Sequence, residues 1–149
     1  MTKKQRALAA IDALKQQYPQ AVCSLTYRDP FQLLVATRLS AQCTDARVNL
    51  VTPALFEKYP TPQAMAKAEP QDIEPFIRSC GLYKTKARDL AALSRMLCER
   101  FGGTVPDTLE LLTSLPGIGR KTANLVLGDI YGKINISILA VCNHLLYCN

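Results

Sequence analysis

The sequence predicts an all-α protein, a bundle of short helices. Apolar residues recur at three- and four-residue spacing along most of the chain, capping residues precede many of these segments, and no stretch alternates apolar and polar residues as a strand does. The chain has 149 residues, of which 48% are hydrophobic, enough for one domain with its own core. We therefore expect residues 1–132 to form one helical domain without a linker or an internal repeat.

Helix starts are marked by side chains that can accept a hydrogen bond from the first free backbone amides. Such caps stand at Asp29, Thr44, Thr61 and Asp107, and proline directly follows the first and third of them. Glu110, three residues after Asp107, completes the pattern of a capping box. The predicted helices cover about residues 3–17, 30–39, 45–58, 71–79, 84–101 and 108–113, and two more begin at Pro62 and near Gly119.

Helix ends are marked by proline and glycine. Tyr18-Pro19 and Tyr59-Pro60 stop the first and third helices, and Pro70 separates two short ones. Gly81 is expected to be the C-cap of the helix before it, and Gly102-Gly103 ends the longest helix. The short connections that remain are typical of a compact bundle.

The charge balance favours a polyanionic partner. Eighteen lysine and arginine residues stand against twelve aspartate and glutamate residues, for a net charge of +6, and no basic run is long enough to be a disordered tail. The N-terminal segment leads into a helical pattern rather than an apolar signal core, and no apolar stretch is long enough to span a membrane. We expect a monomer that stays in the cytoplasm, associated with the nucleoid if the source is bacterial.

The cysteines do not form a recognisable metal-binding pattern. In a reducing compartment, the default is free thiols that pack as small hydrophobic residues. Cys142 and Cys148 are separated by five residues, a spacing found in some metal and iron-sulfur sites, but two ligands do not complete a site. We therefore expect no metal in this chain. The six cysteines are Cys23, Cys43, Cys80, Cys98, Cys142 and Cys148.

A glycine-rich turn joins the last two predicted helices. It lies in the stretch from Leu115 to Ala123, Leu-Pro-Gly-Ile-Gly-Arg-Lys-Thr-Ala, where Pro116 ends one helix. Gly117 and Gly119 permit a tight turn that can approach a ligand closely, and the next helix points free amides outward from its positive end. This pattern is similar to a helix-hairpin-helix, which grips one DNA backbone phosphate. The alternative is an ordinary helix connection with a glycine C-cap.

Lys121 lies in the first turn of the helix that follows the glycines. An ammonium there, beside Arg120 and at the positive end of the helix dipole, is electrostatically unfavourable. The free amine is a nucleophile for carbon chemistry, so Lys121 is a candidate catalytic residue. The alternative is a solvated contact to phosphate.

A polar loop connects two well-capped helices earlier in the chain. Its sequence from Leu39 to Asp45 is Leu-Ser-Ala-Gln-Cys-Thr-Asp, which carries more polarity than a core needs. Gln42 in this loop is either a functional side chain or an ordinary loop glutamine.

A second unusual stretch runs from Gly81 to Arg88, with the sequence Gly-Leu-Tyr-Lys-Thr-Lys-Ala-Arg. It combines a flexible glycine, two apolar side chains that are expected to be exposed, Leu82 and Tyr83, and three cations that include Lys84 and Lys86. This combination suits a DNA backbone with an apolar wedge beside it. The alternative is a helix start with a hydrophobic staple.

Taken together, these three stretches closely resemble the endonuclease III family of DNA glycosylases, over about residues 3–132. The resemblance implies a helical domain that kinks double-stranded DNA, flips out an oxidised pyrimidine and excises it. It also implies roles for the motif residues. Gln42 would fill the vacated space, Leu82 would wedge beside it, and Lys121 would attack C1′, form a Schiff base and permit β-elimination at an abasic site. The hairpin residues would hold the DNA backbone: Pro116, Gly117, Ile118, Gly119, Arg120 and Thr122.

The resemblance breaks down after Gly132. The family continues with Ala-Val-Asp-Thr-His, whose aspartate assists the lysine, whereas the matching position here holds Leu139 or Cys142, depending on the alignment. Asp129 lies eight residues after Lys121, about 12 Å along a helix axis. The family's [4Fe-4S] cysteines have no counterpart, so we expect no cluster.

The last residues, 133–149, are expected to be a divergent tail, frameshifted or non-native. Without the family's C-terminal part, the first helix is expected to leave its apolar face uncovered. The sequence thus predicts a bifunctional glycosylase and lyase with impaired activity. The alternatives are a non-catalytic DNA-binding remnant and an unstable fragment.

Overall fold

The computed structural model of the protein describes residues 1–20 and 22–133. Within these ranges it contains helices and no strand, which confirms the all-α prediction. The tail predicted for residues 133–149, with Leu139, Cys142 and Cys148, lies outside the described residues apart from Lys133. The helices are α1 (Lys3–Gln17), α2 (Pro30–Leu39), α3 (Asp45–Lys58), α4 (Pro62–Ala66), α5 (Pro70–Ile77), α6 (Tyr83–Phe101), α7 (Leu109–Thr113) and α8 (Arg120–Tyr131).

Three of the predicted caps are confirmed. Asp29 accepts a hydrogen bond from the amide of Gln32 at 2.9 Å. Thr44 and Thr61 accept from the amides three residues on, each at 3.2 Å. Because each cap satisfies an amide that the helix itself leaves free, it fixes where the helix begins.

Asp107 is not the cap of α7, contrary to the sequence prediction. Thr108 occupies the N-cap position, and its side chain accepts from the amide of Leu111 at 3.2 Å. The Asp107 carboxylate instead lies 3.5 Å from Nζ of Lys133, a partner that the capping pattern does not reveal.

The prediction that Gly81 is the C-cap of α5 is also wrong. The C-cap of α5 is Arg78, in a right-handed conformation. The left-handed residue of this connection is Leu82, with φ 57°, at the N-cap position of α6. Gly102, with φ 60°, ends α6 as predicted.

Two helices form the centre of the bundle. α6 packs against α4 and α5, while α2 packs against α3, α6 and α8. α2 is almost wholly interior, and each fully buried leucine there contributes about 1.5–3 kcal/mol to the hydrophobic stabilisation. α1 lies outside this core, since none of its residues is buried. The buried hydrophobic residues of α2 are Phe31, Leu33, Leu34, Val35, Ala36 and Leu39.

Among the described residues, no helix is both long and apolar enough to cross a membrane.

Candidate DNA interface and active site

The glycine-rich turn forms a hairpin between α7 and α8, as predicted. Gly117 adopts φ 72°, and Gly119 is the N-cap of α8 without a side-chain cap of its own. The amides of residues 119–122 have no hydrogen-bond acceptor within the described part of the chain. Four free donors at the positive end of a helix can bind an anion such as a phosphate.

Ile118 does not contribute a donor to this set. Its side chain is 5% exposed and joins the hydrophobic core. Its amide donates to the carbonyl oxygen of Leu115 at 3.2 Å. The predicted phosphate contact at Ile118 is therefore corrected: the residue anchors the hairpin to the core.

A partly buried ion pair packs against the hairpin at Gly117. Arg38 of α2 donates to Asp89 Oδ2 of α6 from Nη2 at 2.6 Å and from Nε at 3.0 Å. A Cβ at Gly117 would lie 2.4 Å from this carboxylate oxygen and 2.7 Å from Arg38 Nε. Gly117 is thus required both for its positive φ and for the close approach of the pair. Arg38 and Asp89 could not be predicted from the sequence, because no local pattern connects them.

The polar loop after α2 and the start of α6 meet at the surface. Gln42 and Leu82 are the non-glycine residues with positive φ in the described chain, at 54° and 57°. Both are exposed. The two backbones lie close together, since a Cβ built at Gly81 would lie 3.4 Å from the Gln42 carbonyl oxygen. Left-handed geometry in a non-glycine residue costs about 1–2 kcal/mol, and such outliers cluster at functional sites.

Lys86 does not face solvent, contrary to the prediction of a cation on the DNA side. It is 0% exposed, and its Nζ donates to the carbonyl oxygens of Leu39 at 2.8 Å and Ala41 at 2.7 Å. Burial lowers the pKa of Lys86, since desolvation penalises the charged form. Lys84, two residues earlier, is exposed as predicted.

Lys121 is exposed in the first turn of α8, beside the free amides. Arg120 is also exposed, and Thr122 is half-buried. Arg120, Asn124 and Lys133 share a surface cavity of about 560 Å³. Lys121 lies on the same helical turn as the four free amides.

Asp129 is the acidic residue of α8, near the helix end opposite to Lys121. Its carboxylate accepts a hydrogen bond from the Tyr27 hydroxyl at 3.3 Å. Eight residues separate it from Lys121, an axial rise of about 12 Å. It therefore belongs to the opposite end of the helix.

Cys142 and Cys148, the pair considered as metal ligands, lie outside the described residues. In the part that the structure describes, no three His, Cys, Asp or Glu side chains are grouped as they are in a metal site. The thiols of that part are free: Cys23, Cys43, Cys80 and Cys98.

The chain resembles proteins of one repair family along most of its length. Residues 35–143 match the model of the HhH-GPD superfamily base excision DNA repair protein. Endonuclease III of Synechocystis is 52% identical over 131 residues, 88% of this chain and 60% of that protein. Endonuclease III of Bacillus subtilis is 43% identical over 128 residues, 86% of this chain and 58% of that protein. The chain thus spans about 60% of the length of these relatives.

The fold of the chain also matches the folds of solved structures. A trapped endonuclease III–DNA covalent intermediate superposes with a TM-score of 0.79 at 46% identity, over 89% of this chain and 62% of that one. A thermostable thymine-DNA glycosylase superposes with a TM-score of 0.76 at 23% identity, over 87% of this chain and 61% of that one, which is a likeness of fold alone. Endonuclease III of Escherichia coli K12 is 37% identical over 144 residues, 94% of this chain and 68% of that protein. On these grounds, the chain belongs to the endonuclease III family of the HhH-GPD superfamily.

Proposed function

We propose that this chain is a base-excision DNA glycosylase with abasic-site lyase activity. Its partner is double-stranded DNA that carries an oxidised pyrimidine or an abasic site, and it acts as a monomer. The observation that supports this proposal best is the exposed Lys121 beside the free amides at the start of α8. The amides bind the DNA backbone, and the amine lies within reach of the sugar next to it.

The reaction follows from an amine at the sugar. The Lys121 nitrogen attacks C1′ and forms a C–N bond, while the bond from C1′ to the base breaks and the base leaves with the bonding electrons. Ring opening gives a Schiff base. Loss of a proton from C2′ then expels the 3′ phosphate by β-elimination, and water releases the lysine.

The arrangement of the loops supports damage recognition at the same face. Arg38 lies in the last turn of α2, four residues before Gln42, and Asp89 lies seven residues after Leu82 in the chain. Since this ion pair contacts Gly117, the hairpin and the two exposed loops are carried by the same pair of helices. Gln42 and Leu82 would enter the duplex while the hairpin holds its backbone.

Borohydride trapping on a duplex with an abasic site tests the proposal. We expect a covalent adduct with the unaltered protein, no adduct with Lys121→Ala, and an adduct with Lys67→Ala, which removes an exposed lysine from the loop after α4. Absence of an adduct with the unaltered protein, or an adduct that survives Lys121→Ala, would contradict it.

A second candidate function is DNA binding without base removal. It is favoured by the position of Asp129, which is held by Tyr27 at the far end of α8, and by Leu139 or Cys142 at the family's aspartate position. This candidate predicts salt-dependent binding to duplex DNA but no release of thymine glycol. Release that requires Lys121 would exclude it.

A further inference from the structure

The ammonium of Lys86 is buried and donates to neutral oxygen atoms. It is 0% exposed, and it donates to two backbone carbonyls, at 2.8 Å and 2.7 Å. No carboxylate forms a salt bridge with it among residues 1–20 and 22–133. Burying a charge without a counter-ion is unfavourable, so a methionine of similar length would suit the core better. The role of the charge is therefore inferred from the two carbonyls to which the ammonium donates.

Both carbonyls belong to the segment that leads into Gln42. The Leu39 carbonyl is among the unpaired acceptors at the negative end of α2, where a cation is favoured. The Ala41 carbonyl belongs to the peptide plane that precedes Gln42. Rotation of this plane about the N–Cα bond of Gln42 is the φ angle of that residue, here 54°. An ammonium held at 2.7 Å from the Ala41 oxygen therefore limits this rotation.

Lys86 also fixes the second left-handed residue. Its backbone amide donates to the carbonyl oxygen of Leu82 at 3.0 Å, so the same residue holds Ala41 by its side chain and Leu82 by its main chain. Gly81 fits against the Gln42 carbonyl in the gap between the two loops.

We propose that Lys86 is a positioning residue that holds Gln42 and Leu82 as one unit, so that both side chains enter a damaged duplex together. The inference rests on the proposed function, because it assumes that these two residues enter DNA. Lys86 does not touch the substrate. It acts through the peptide plane before Gln42.

The test compares two DNA duplexes of the same sequence, one intact and one with a tetrahydrofuran abasic analogue opposite 2-aminopurine. This analogue cannot form a Schiff base, so the measurement does not depend on catalysis. For Lys86→Met, we expect the preference for the abasic duplex to fall about tenfold or more, as for one lost charged hydrogen bond. Affinity for the intact duplex should stay within about twofold, because the exposed cations are unchanged. We expect 2-aminopurine fluorescence to rise when the unaltered protein binds the abasic duplex. This rise should disappear with Lys86→Met.

Lys67→Met is the matched control, because it removes an exposed lysine directly after α4, a helix that carries neither loop. It should keep the preference and the fluorescence change. Circular dichroism checks that Lys86→Met folds. If it does not, Lys86→Gln keeps two N–H donors on a stem one atom shorter, and we expect an intermediate loss of preference.

Two outcomes separate the inference from the proposed function. An unaltered protein without preference for the abasic duplex would overturn the proposed function and, with it, this inference. A preference and a fluorescence change that Lys86→Met or Lys86→Gln leaves at the unaltered level would overturn the positioning role alone. A loss of affinity for both duplexes by the same factor would also overturn it, since this is the effect of a merely structural residue.

Discussion

Arg38 Nη2 lies 2.6 Å from Asp89 Oδ2, and this pair fills the space where Gly117 has no side chain. One ion pair thus joins α2, α6 and the hairpin. The geometry of the glycine-rich turn therefore depends on two residues that are remote in the sequence. The stability of this contact can be tested by substitution.

Gly117→Ala should destabilise the protein more than Gly102→Ala. Both glycines have positive φ, at 72° and 60°, but a Cβ at Gly102 meets nothing within 4 Å. Gly102→Ala therefore adds only backbone strain, about 1 kcal/mol, whereas Gly117→Ala adds overlap with Asp89 and should cost about 3 kcal/mol. Urea denaturation measures both. Equal losses of unfolding free energy would show that the ion pair moves aside without cost.

Asp89→Asn should cost about 1–3 kcal/mol of unfolding free energy. The side chains of Arg38 and Asp89 are 12% and 22% exposed, so the substitution leaves a largely buried guanidinium without its counter-ion. Glu69→Gln is the control, since Glu69 and Arg95 are 69% and 42% exposed. Exposed pairs contribute less than about 1 kcal/mol. A loss for Asp89→Asn no larger than that of the control would contradict the prediction.

Leu82→Gly should leave stability within about 0.5 kcal/mol of the unaltered protein, because relief of left-handed strain offsets the added freedom of the unfolded chain. The control is Leu50→Gly in α3, an exposed leucine in a regular helix, which should cost about 1 kcal/mol. Thermal denaturation followed by circular dichroism distinguishes the two. A large loss at Leu82 would mean that its side chain has a packing role that its exposure of 59% does not suggest.

Stability should fall as pH rises above about 9. Burial raises the pKa of Cys23 from 9.0 to about 12 and that of Cys80 from 9.0 to about 11. Between these values, the unfolded chain loses thiol protons that the folded chain keeps, so rising pH favours unfolding. The pKa of Lys86 is lowered by burial, so this residue alone would make stability rise with pH. Burial also raises the pKa of three tyrosines, which adds to the fall: Tyr27, Tyr59 and Tyr131.

Urea midpoints at pH 8 and pH 10.5 measure this effect. Cys23→Ala should make the decline shallower, while the change between pH 6 and pH 8 should match that of the unaltered protein, because these thiols are protonated in both states there. A midpoint that stays constant or rises up to pH 10.5 would contradict the thiol argument.

The helices were predictable from sequence because their signals are local. A cap such as Asp29 or Thr44 acts over three residues, and the bounds of α1 and α3 agree with the prediction. Gly81 is predicted as the C-cap of α5 because glycine is common at helix ends. In the structure the C-cap is Arg78, and the left-handed residue of this connection is Leu82, which no local pattern predicts.

The motifs of the candidate site are visible in the sequence, but the long-range contacts that hold them in place are not. Lys86 is separated from Ala41 by 45 residues, and Arg38 from Asp89 by 51. A lysine in a basic, polar stretch is typical of an exposed surface, so its burial follows only from the packing of α6 against the end of α2. Long-range partners of this kind depend on the fold and leave no local pattern.

Gln42 and Leu82 hold their unusual backbone angles, 54° and 57°, at exposed positions. The energetic cost of that geometry, about 1–2 kcal/mol for each residue, is met when the chain folds. If the two side chains enter DNA as proposed, formation of the complex does not have to meet this cost again.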